Sequence, residues 1–342
     1  MKKVLIVLGV SLIYSCACTK KTKNTTSTDK GNASTYAATI SSKELKEYLY
    51  TFAGDSYEGR DTGEPGQKKA AEYLKKQYKR MGIVSPMGGD DYYQEIPDSY
   101  FRGGIKSSEN VLAFIEGTEK PEEIIVLSAH YDHVGVDKDG NIYNGADDDG
   151  SGTVSILEIA EAFEKAKKDG FGPKRSILFL HVTGEEKGLY GSKFYTENPV
   201  FPLANTVTNL NIDMIGRIDP NHREEGKSNY IYLIGSDRLS TDLHKVSEAM
   251  NEKYTQLDLD YTYNDKDDPN RFYYRSDHYN FAKHNIPIIF YFNGVHEDYH
   301  KPTDTPEKID YDLLAKRTKL IFYTTWEVAN RAERLVVDGV TE

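Results

Sequence analysis

The sequence predicts a three-layer α/β/α fold built on a central mixed sheet whose strands are mostly parallel. From residue 122 onward, apolar runs of strand length alternate with segments in which apolar residues recur at helical spacing. Strands that alternate with helices in this way are typical of a parallel sheet covered on both faces. Acidic residues and histidines follow several of the apolar runs, which is where ligands bind in such sheets.

The N-terminal part of the fold is predicted to contain two helices and two weak strands. Ser41 can cap a helix that runs to about Phe52. Apolar residues recur at helical spacing between residues 70 and 81, and Gly82 is suited to end that helix. The weak strands are expected at 92–96 and 111–116.

The rest of the chain is predicted to supply the central strands and the helices that cover them. The strands are expected at 123–129, 175–182, 206–212, 229–234 and 286–292. The helices are expected at 152–168, 188–198, 239–254, 277–284 and 310–334. A polar, irregular stretch at 258–275 is expected to form a loop over the site.

The extreme N-terminus has the pattern of a bacterial lipoprotein signal. Lys2 and Lys3 precede an apolar stretch that is too short to span a bilayer as a helix. Residues 1–15 are therefore interpreted as a signal peptide, with Cys16 as the lipidated residue and Cys18 as the alternative. We expect an exported, membrane-anchored protein, and the lysines that follow the cysteines favour an anchor facing the periplasm.

The mature chain is predicted to be a short tether followed by one domain. Residues 16–40 are rich in Lys, Thr, Ser and Asn and are interpreted as a flexible tether, and residues 41–338 as a single domain. Both cysteines lie near the N-terminus, so the domain has no disulfide and no thiolate ligand. A net charge of −11 argues against nucleic acid as a partner, since that requires a basic surface.

The residues that follow the strands have the chemistry of a two-metal hydrolase site. Zinc is bound by histidine nitrogen and carboxylate oxygen, and two zinc ions can share one carboxylate. One bridging carboxylate, with one histidine and one further carboxylate for each metal, makes five ligands. The residues that fit are His130, Asp148, Glu186, Asp213 and His300. Glu185, adjacent to a ligand, is the expected general base.

The ordered motifs resemble those of the co-catalytic di-zinc aminopeptidases of the bacterial leucyl and Streptomyces type. The resemblance covers roughly residues 41–335. It is carried by Glu58-Gly-Arg60, Ser128-Ala-His-Tyr-Asp-His-Val-Gly135, Gly145-Ala-Asp-Asp-Asp-Gly-Ser-Gly152, Thr183-Gly-Glu-Glu186, Asn211-Ile-Asp-Met-Ile-Gly216 and Asp298-Tyr-His300. It implies the fold of the zinc-dependent exopeptidases, two Zn²⁺ ions and peptide substrates.

The same resemblance implies a role for each matched position. His130 and Asp213 would bind one zinc ion, Glu186 and His300 would bind the other, and Asp148 would bridge them. Glu185 would act as the base, Asp132 would orient His130, and Tyr299 would stabilise the tetrahedral intermediate. The peptide bond after Asp148 is often cis in this family. The remaining histidines are interpreted as structural, with His133 the one expected to lie nearest the site.

Two other functions remain open on sequence grounds. A glutaminyl cyclase would share the fold but use a single zinc ion. A non-catalytic binding module on this fold would have lost metal ligands, and none is missing from these motifs. Aminopeptidase, dipeptidase and other exopeptidase action differ by small changes in amine or carboxylate recognition, so the motifs leave the preferred residue open.

Overall fold

The computed structural model describes Met1 and residues 31–339, and the predicted signal peptide and most of the predicted tether lie outside these residues. Described α-helices are α1 (Ala33–Ala37), α2 (Ser42–Phe52), α3 (Pro65–Met81), α4 (Gly152–Lys168), α5 (Tyr190–Glu197), α6 (Pro220–Glu224), α7 (Thr241–Met250), α8 (His278–Ala282) and α9 (Tyr311–Asn330). Described strands are β1 (Tyr93–Ile96), β2 (Ser108–Ile115), β3 (Lys120–His130), β4 (Gly135–Val136), β5 (Ile142–Tyr143), β6 (Arg175–Val182), β7 (Thr206–Ile212), β8 (Tyr230–Ile234), β9 (Asp258–Asp260) and β10 (Ile288–Phe292).

Eight of these strands form one mixed sheet in the order β1-β2-β6-β3-β7-β10-β8-β9, and β4 and β5 pair separately. Its centre is parallel, because β3 pairs in parallel with β6 and β7, and β10 pairs in parallel with β7. The antiparallel pairs are β1 with β2, β2 with β6, and β8 with β10. The predicted fold class, with its largely parallel centre, is therefore confirmed.

Helices cover both faces of the sheet because the central strands are apolar on both sides. Along β3, Ile125 and Leu127 contribute to one core cluster, together with residues of α2, α3, α4 and α9. The alternate residues Ile124 and Val126 point to the other cluster, together with residues of α5 and α8. This alternation along the strand produces the three layers.

The domain begins earlier than the sequence suggested. Asn32 caps α1 by accepting a hydrogen bond from the Ser34 backbone N–H at 3.0 Å. Tyr36 is fully buried and stacks on Trp326 of α9 with the ring centroids 5.5 Å apart. The prediction of a flexible tether through residue 40 is therefore wrong for residues 33–40, which contribute Ala33, Tyr36, Ala37 and Ile40 to the core.

Candidate metal centre

The parallel centre of the sheet places the chemistry-bearing residues at one edge. His130 is the last residue of β3, Glu185 and Glu186 follow β6, and Asp213 follows β7. Since β6, β3 and β7 are neighbours and run in the same direction, their carboxyl ends meet at this edge. Asp148 reaches the same place from the loop that leads into α4.

One candidate metal-binding group is formed by three buried residues. The Nε2 atom of His130 lies 3.1 Å from Oδ1 of Asp148 and 3.6 Å from Oδ1 of Asp213. These three residues offer one nitrogen and two carboxylate ligand atoms within 4.8 Å of one another. That is a suitable donor set for zinc.

A second candidate group shares Asp148 with the first. The Nδ1 atom of His133 lies 2.9 Å from Oε1 of Glu186 and 3.7 Å from Oδ2 of Asp148. In addition, Nε2 of His300 lies 3.0 Å from Oδ2 of Asp148 and 3.0 Å from Oε2 of Glu186. Asp148 thus presents one oxygen to each group, as a bridging carboxylate does.

The structure brings together all five residues that the sequence singled out as ligands, and it adds His133. His133 is fully buried, whereas the His300 side chain is 38% exposed. On sequence grounds, His133 is interpreted as structural, although nearest the site, because the matched motifs assign it no ligand role. The sequence feature that could have identified His133 is the second histidine of the motif His130-Tyr-Asp-His133. The loop after β3 turns both rings toward the metal centre.

The donor atoms of this centre fit a metal because they have no other partner. Within residues 31–339, buried atoms without a hydrogen-bond partner include Nε2 of His130, Nδ1 of His133, Oδ2 of Asp148 and Oε1 of Glu186. Burying such atoms without a partner is costly, so a cation between them is the expected compensation. Burial acts to raise the pKa of Asp148, but the rings of His130 and His300 hold this pKa well below its usual value.

The Asp148 loop is held by its own acidic neighbours. Asp304 accepts hydrogen bonds from the backbone N–H groups of Asp147 at 3.0 Å and Asp148 at 3.2 Å. Asp149 accepts hydrogen bonds from the backbone of Gly152 at 2.9 Å and Met214 at 3.2 Å. These aspartates therefore fix the backbone on each side of the shared ligand.

Local geometry in this loop also depends on a glycine and a cis bond. Gly145 has φ +51°, and a Cβ atom there would lie 2.3 Å from the carbonyl oxygen of Asp148 and 2.5 Å from the His133 ring. Only a glycine allows the loop to pass so close to both residues. The peptide bond between Asp148 and Asp149 is cis, as the resemblance implied.

Asp132 contacts His130 mainly through its backbone. Its backbone carbonyl, 3.1 Å from Nδ1 of His130, is the group placed to orient that ring, while its carboxylate lies 3.8 Å away. The carboxylate instead accepts a hydrogen bond from the Thr62 hydroxyl at 2.8 Å and from the backbone N–H of Glu185 at 3.2 Å. Asp132 thus links the position of His130 to that of Glu185.

Glu185 and Tyr299 lie at the open side of the cluster. One carboxylate oxygen of Glu185 is 4.0 Å from Nε2 of His130. Burial holds the pKa of Glu185 well above its usual range, and the charges of Glu186 and Asp213 act in the same direction. Burial also raises the pKa of Tyr299, so its hydroxyl stays protonated and able to donate.

A narrow cleft of about 30 Å³ opens beside these residues. One side of it is formed by Asp148, Glu185 and Asp213. The other lining residues are Met214, Phe272, Arg275, Ser276, Phe290, Phe292, Val295 and Tyr299. Carboxylates beside an aromatic wall suit a ligand that has both a polar group and an apolar side chain.

Ser276, which lies just before α8, was not among the candidate site residues in the sequence. Its hydroxyl donates a 2.7 Å hydrogen bond to Oδ2 of Asp213 and accepts one from the Asn211 side chain at 2.9 Å. It therefore fixes the carboxylate of a candidate ligand. His278, two residues on, lies 2.8 Å from the carbonyl of Tyr273, and burial lowers its pKa to about 3, as suits a structural histidine.

Solved structures with the same architecture share the fold of this chain at low sequence identity. The LapA aminopeptidase of Legionella pneumophila superposes with a TM-score of 0.67 and 21% identity, over 97% of this chain and 81% of that one. BSAP, a zinc aminopeptidase from Bacillus subtilis, superposes with a TM-score of 0.65 and 17% identity, over 88% of this chain and 98% of that one. Identities this low establish likeness of fold.

Curated relatives match only a part of their own length. A probable leucine aminopeptidase of Arthroderma benhamiae is 30% identical over 226 residues, which are 64% of this chain and 57% of that protein. A probable glutamate carboxypeptidase of Arabidopsis thaliana is 36% identical over 110 residues, which are 32% of this chain and 15% of that protein. The chain thus spans little more than half the length of the first of these relatives.

The family model of peptidase family M28 matches residues 110–325, which is more than half of the chain and includes every candidate metal ligand. The family predicted from the sequence motifs is confirmed by this match. The chain belongs to peptidase family M28.

Proposed function

We propose that this protein is a zinc-dependent exopeptidase, and specifically an aminopeptidase that removes N-terminal residues from peptides. The observation that carries the proposal is the convergence of unpartnered histidine and carboxylate atoms on two groups that share Asp148. Membership of peptidase family M28 and the fold it shares with zinc aminopeptidases support the same function.

The residues present fit two zinc ions, one in each group. His130, Asp148 and Asp213 would hold the first, and Asp148 and Glu186 with a histidine would hold the second. The resemblance assigns that histidine as His300, and His133, 2.9 Å from Glu186, would be a further ligand or would support Glu186. When bound, a pair of zinc ions activates water at neutral pH and polarises the scissile carbonyl.

The chain itself supplies the proton transfer and the positioning. Glu185, beside the cluster, would accept a proton from the attacking water and deliver it to the leaving amine. Asp132 fixes the backbone of Glu185 through the 3.2 Å hydrogen bond. Tyr299 lines the same cleft and would donate a hydrogen bond to the oxygen that gains negative charge.

The two competing functions are less well supported by the site. A single-zinc cyclase needs only one complete ligand set, whereas here two sets share a carboxylate. A binding module has no need of Glu185, which is half-buried beside the ligands with its backbone fixed by Asp132. Both observations favour hydrolysis with two metals.

We also propose that the protein is exported and anchored to a membrane through a lipid on Cys16 or Cys18. The support is the Lys2-Lys3 pair and the short apolar stretch after it, which lie outside the described residues. In the part of the chain that the structure describes, no helix is both long and apolar enough to cross a membrane.

Hydrolysis of aminoacyl reporter substrates tests the proposed function directly. We expect activity that a chelator abolishes and added zinc restores. The Glu185→Gln variant should retain its zinc and lose about 10²- to 10⁴-fold in kcat, the usual contribution of a general base. Glu122→Gln, an exposed change on β3, is the matched control and should keep full activity. An unchanged kcat in Glu185→Gln, or activity that persists without metal, would contradict the proposal.

A further inference from the structure

Arg275 occupies a position that the metal chemistry does not use. It lines the cleft that also contains Glu185 and Asp213. The next residue, Ser276, is hydrogen-bonded to Asp213 at 2.7 Å, which ties the backbone at this point to the metal cluster. The Arg275 side chain thus starts from a fixed point at the wall of the cleft.

The guanidinium of Arg275 is free to bind an anion. Its Cζ atom lies 4.9 Å from the centre of the Phe272 ring, and the residue is exposed. Within residues 31–339 it makes no ion pair with a carboxylate, and it is the one basic residue among those that line the cleft. A guanidinium carries a permanent charge and a planar set of donors that matches a carboxylate.

We propose that Arg275 binds a carboxylate of the peptide substrate and thereby sets the substrate class of the enzyme. The proposal rests on the peptidase function proposed above. Because Arg275 lines the same cleft as Glu185, the carboxylate must lie within about one residue of the bond that is cleaved. Two parts of a substrate meet that condition, the side chain of an N-terminal Asp or Glu and the free C-terminus of a dipeptide.

A purely electrostatic role for Arg275 would have a different consequence. Three carboxylates line the cleft, and a cation near them would moderate their charge whatever the substrate. Loss of that effect would change the hydrolysis of all substrates by a similar factor. Direct recognition instead predicts a loss confined to substrates that carry a carboxylate.

Two pairs of substrates separate these roles and the two sources of the carboxylate. The first pair is the p-nitroanilides of Glu and Gln, which differ in the charge of the N-terminal side chain. The second pair is Leu-Gly and Leu-Gly amide, which differ in the charge of the C-terminus. We expect the zinc-loaded wild type to prefer the charged member of one pair, and Arg275→Gln to lose that preference by about 10- to 100-fold in kcat/KM, as for a hydrogen bond to a charged group. The neutral members should be unaffected.

Arg271→Gln is the matched control, since Arg271 is also exposed, also lies 4.9 Å from an aromatic ring, and does not line the cleft. It should retain the wild-type preference, and Arg275→Lys should retain part of it. Equal losses on all four substrates in Arg275→Gln would overturn the proposal, as would a wild type that hydrolyses the neutral members with no preference for either charged one. A protein that hydrolyses none of the four but does hydrolyse other aminoacyl reporters would overturn this proposal alone, whereas one that hydrolyses no aminoacyl reporter at all would overturn the peptidase function as well.

Discussion

At the scale of single residues, the buried charged groups of this protein have distinct tasks. In the metal centre, unpartnered carboxylates face one another and suit cations. Elsewhere, Glu158 of α4 lies at a larger cleft of about 680 Å³ whose lining includes none of the candidate ligands. Glu158 is 3% exposed, and one of its oxygens accepts the backbone N–H of Ser41 at 3.0 Å while the other has no partner.

Glu158 should make the stability of the fold depend on pH. Burial raises its pKa to about 8 from 4.5, so between these values the folded state holds a proton that the unfolded state has released. The free energy of unfolding then falls as the pH rises through this window. The fall is at most about 1.4 kcal/mol for each unit by which the pKa is raised. Glu158→Gln should therefore gain stability relative to the wild type between pH 5 and pH 8, as measured by urea unfolding. A difference between the two proteins that does not change with pH would contradict this account.

The sequence predicted five of the residues that form the metal centre but did not identify His133 as one of them. His130, Asp148, Glu186, Asp213 and His300 were recognisable because each belongs to an ordered motif. His133 belongs to one of these motifs as well, but the motif assigned it no ligand role, and the direction of its ring depends on long-range contacts of its loop. Its backbone N–H donates to the carbonyl of Arg60 at 3.1 Å. A contact across so many residues leaves no local pattern in the sequence.

At the scale of elements, the helices and strands that position the site were predicted closely, whereas the short elements α1, α6, β4, β5 and β9 were not predicted. Strand β3 and helix α4 have strong apolar periodicity and their predicted bounds agree with the structure to within three residues. Helix α1 has five residues and a sequence rich in small and polar side chains, so its pattern indicated a tether. Its order comes from tertiary packing, chiefly that of Tyr36 on Trp326.

Helix α1 should therefore contribute to the stability of the domain. Tyr36→Ala removes a fully buried aromatic ring, and we expect the free energy of unfolding to fall by about 3 kcal/mol. The control is Ala38→Ser, at an exposed position that ends the same helix. It should change the free energy of unfolding by less than about 0.5 kcal/mol. Urea unfolding of both variants measures this. Equal stability of Tyr36→Ala and the wild type would mean that the tether extends through residue 40 after all.

At the scale of the whole molecule, the sheet topology explains why the site lies where it does. Strands β6, β3, β7 and β10 are parallel neighbours, and the loops after them carry the ligands and Tyr299. The alternation of strands and helices predicted this arrangement. The order of strands was not predictable from local patterns, because the antiparallel pairing of β2 with β6 and of β8 with β10 depends on packing between distant segments.

The zinc content of the purified, zinc-saturated protein tests the central claim most directly. Because two candidate metal-binding groups share Asp148, we expect atomic emission to measure about two zinc ions per chain. Asp148→Ala should bind far less because it removes a ligand from both groups, while Asp139→Ala, at an exposed turn, should bind as much as the wild type. About one zinc ion per chain in the wild type, or two that persist in Asp148→Ala, would contradict the account.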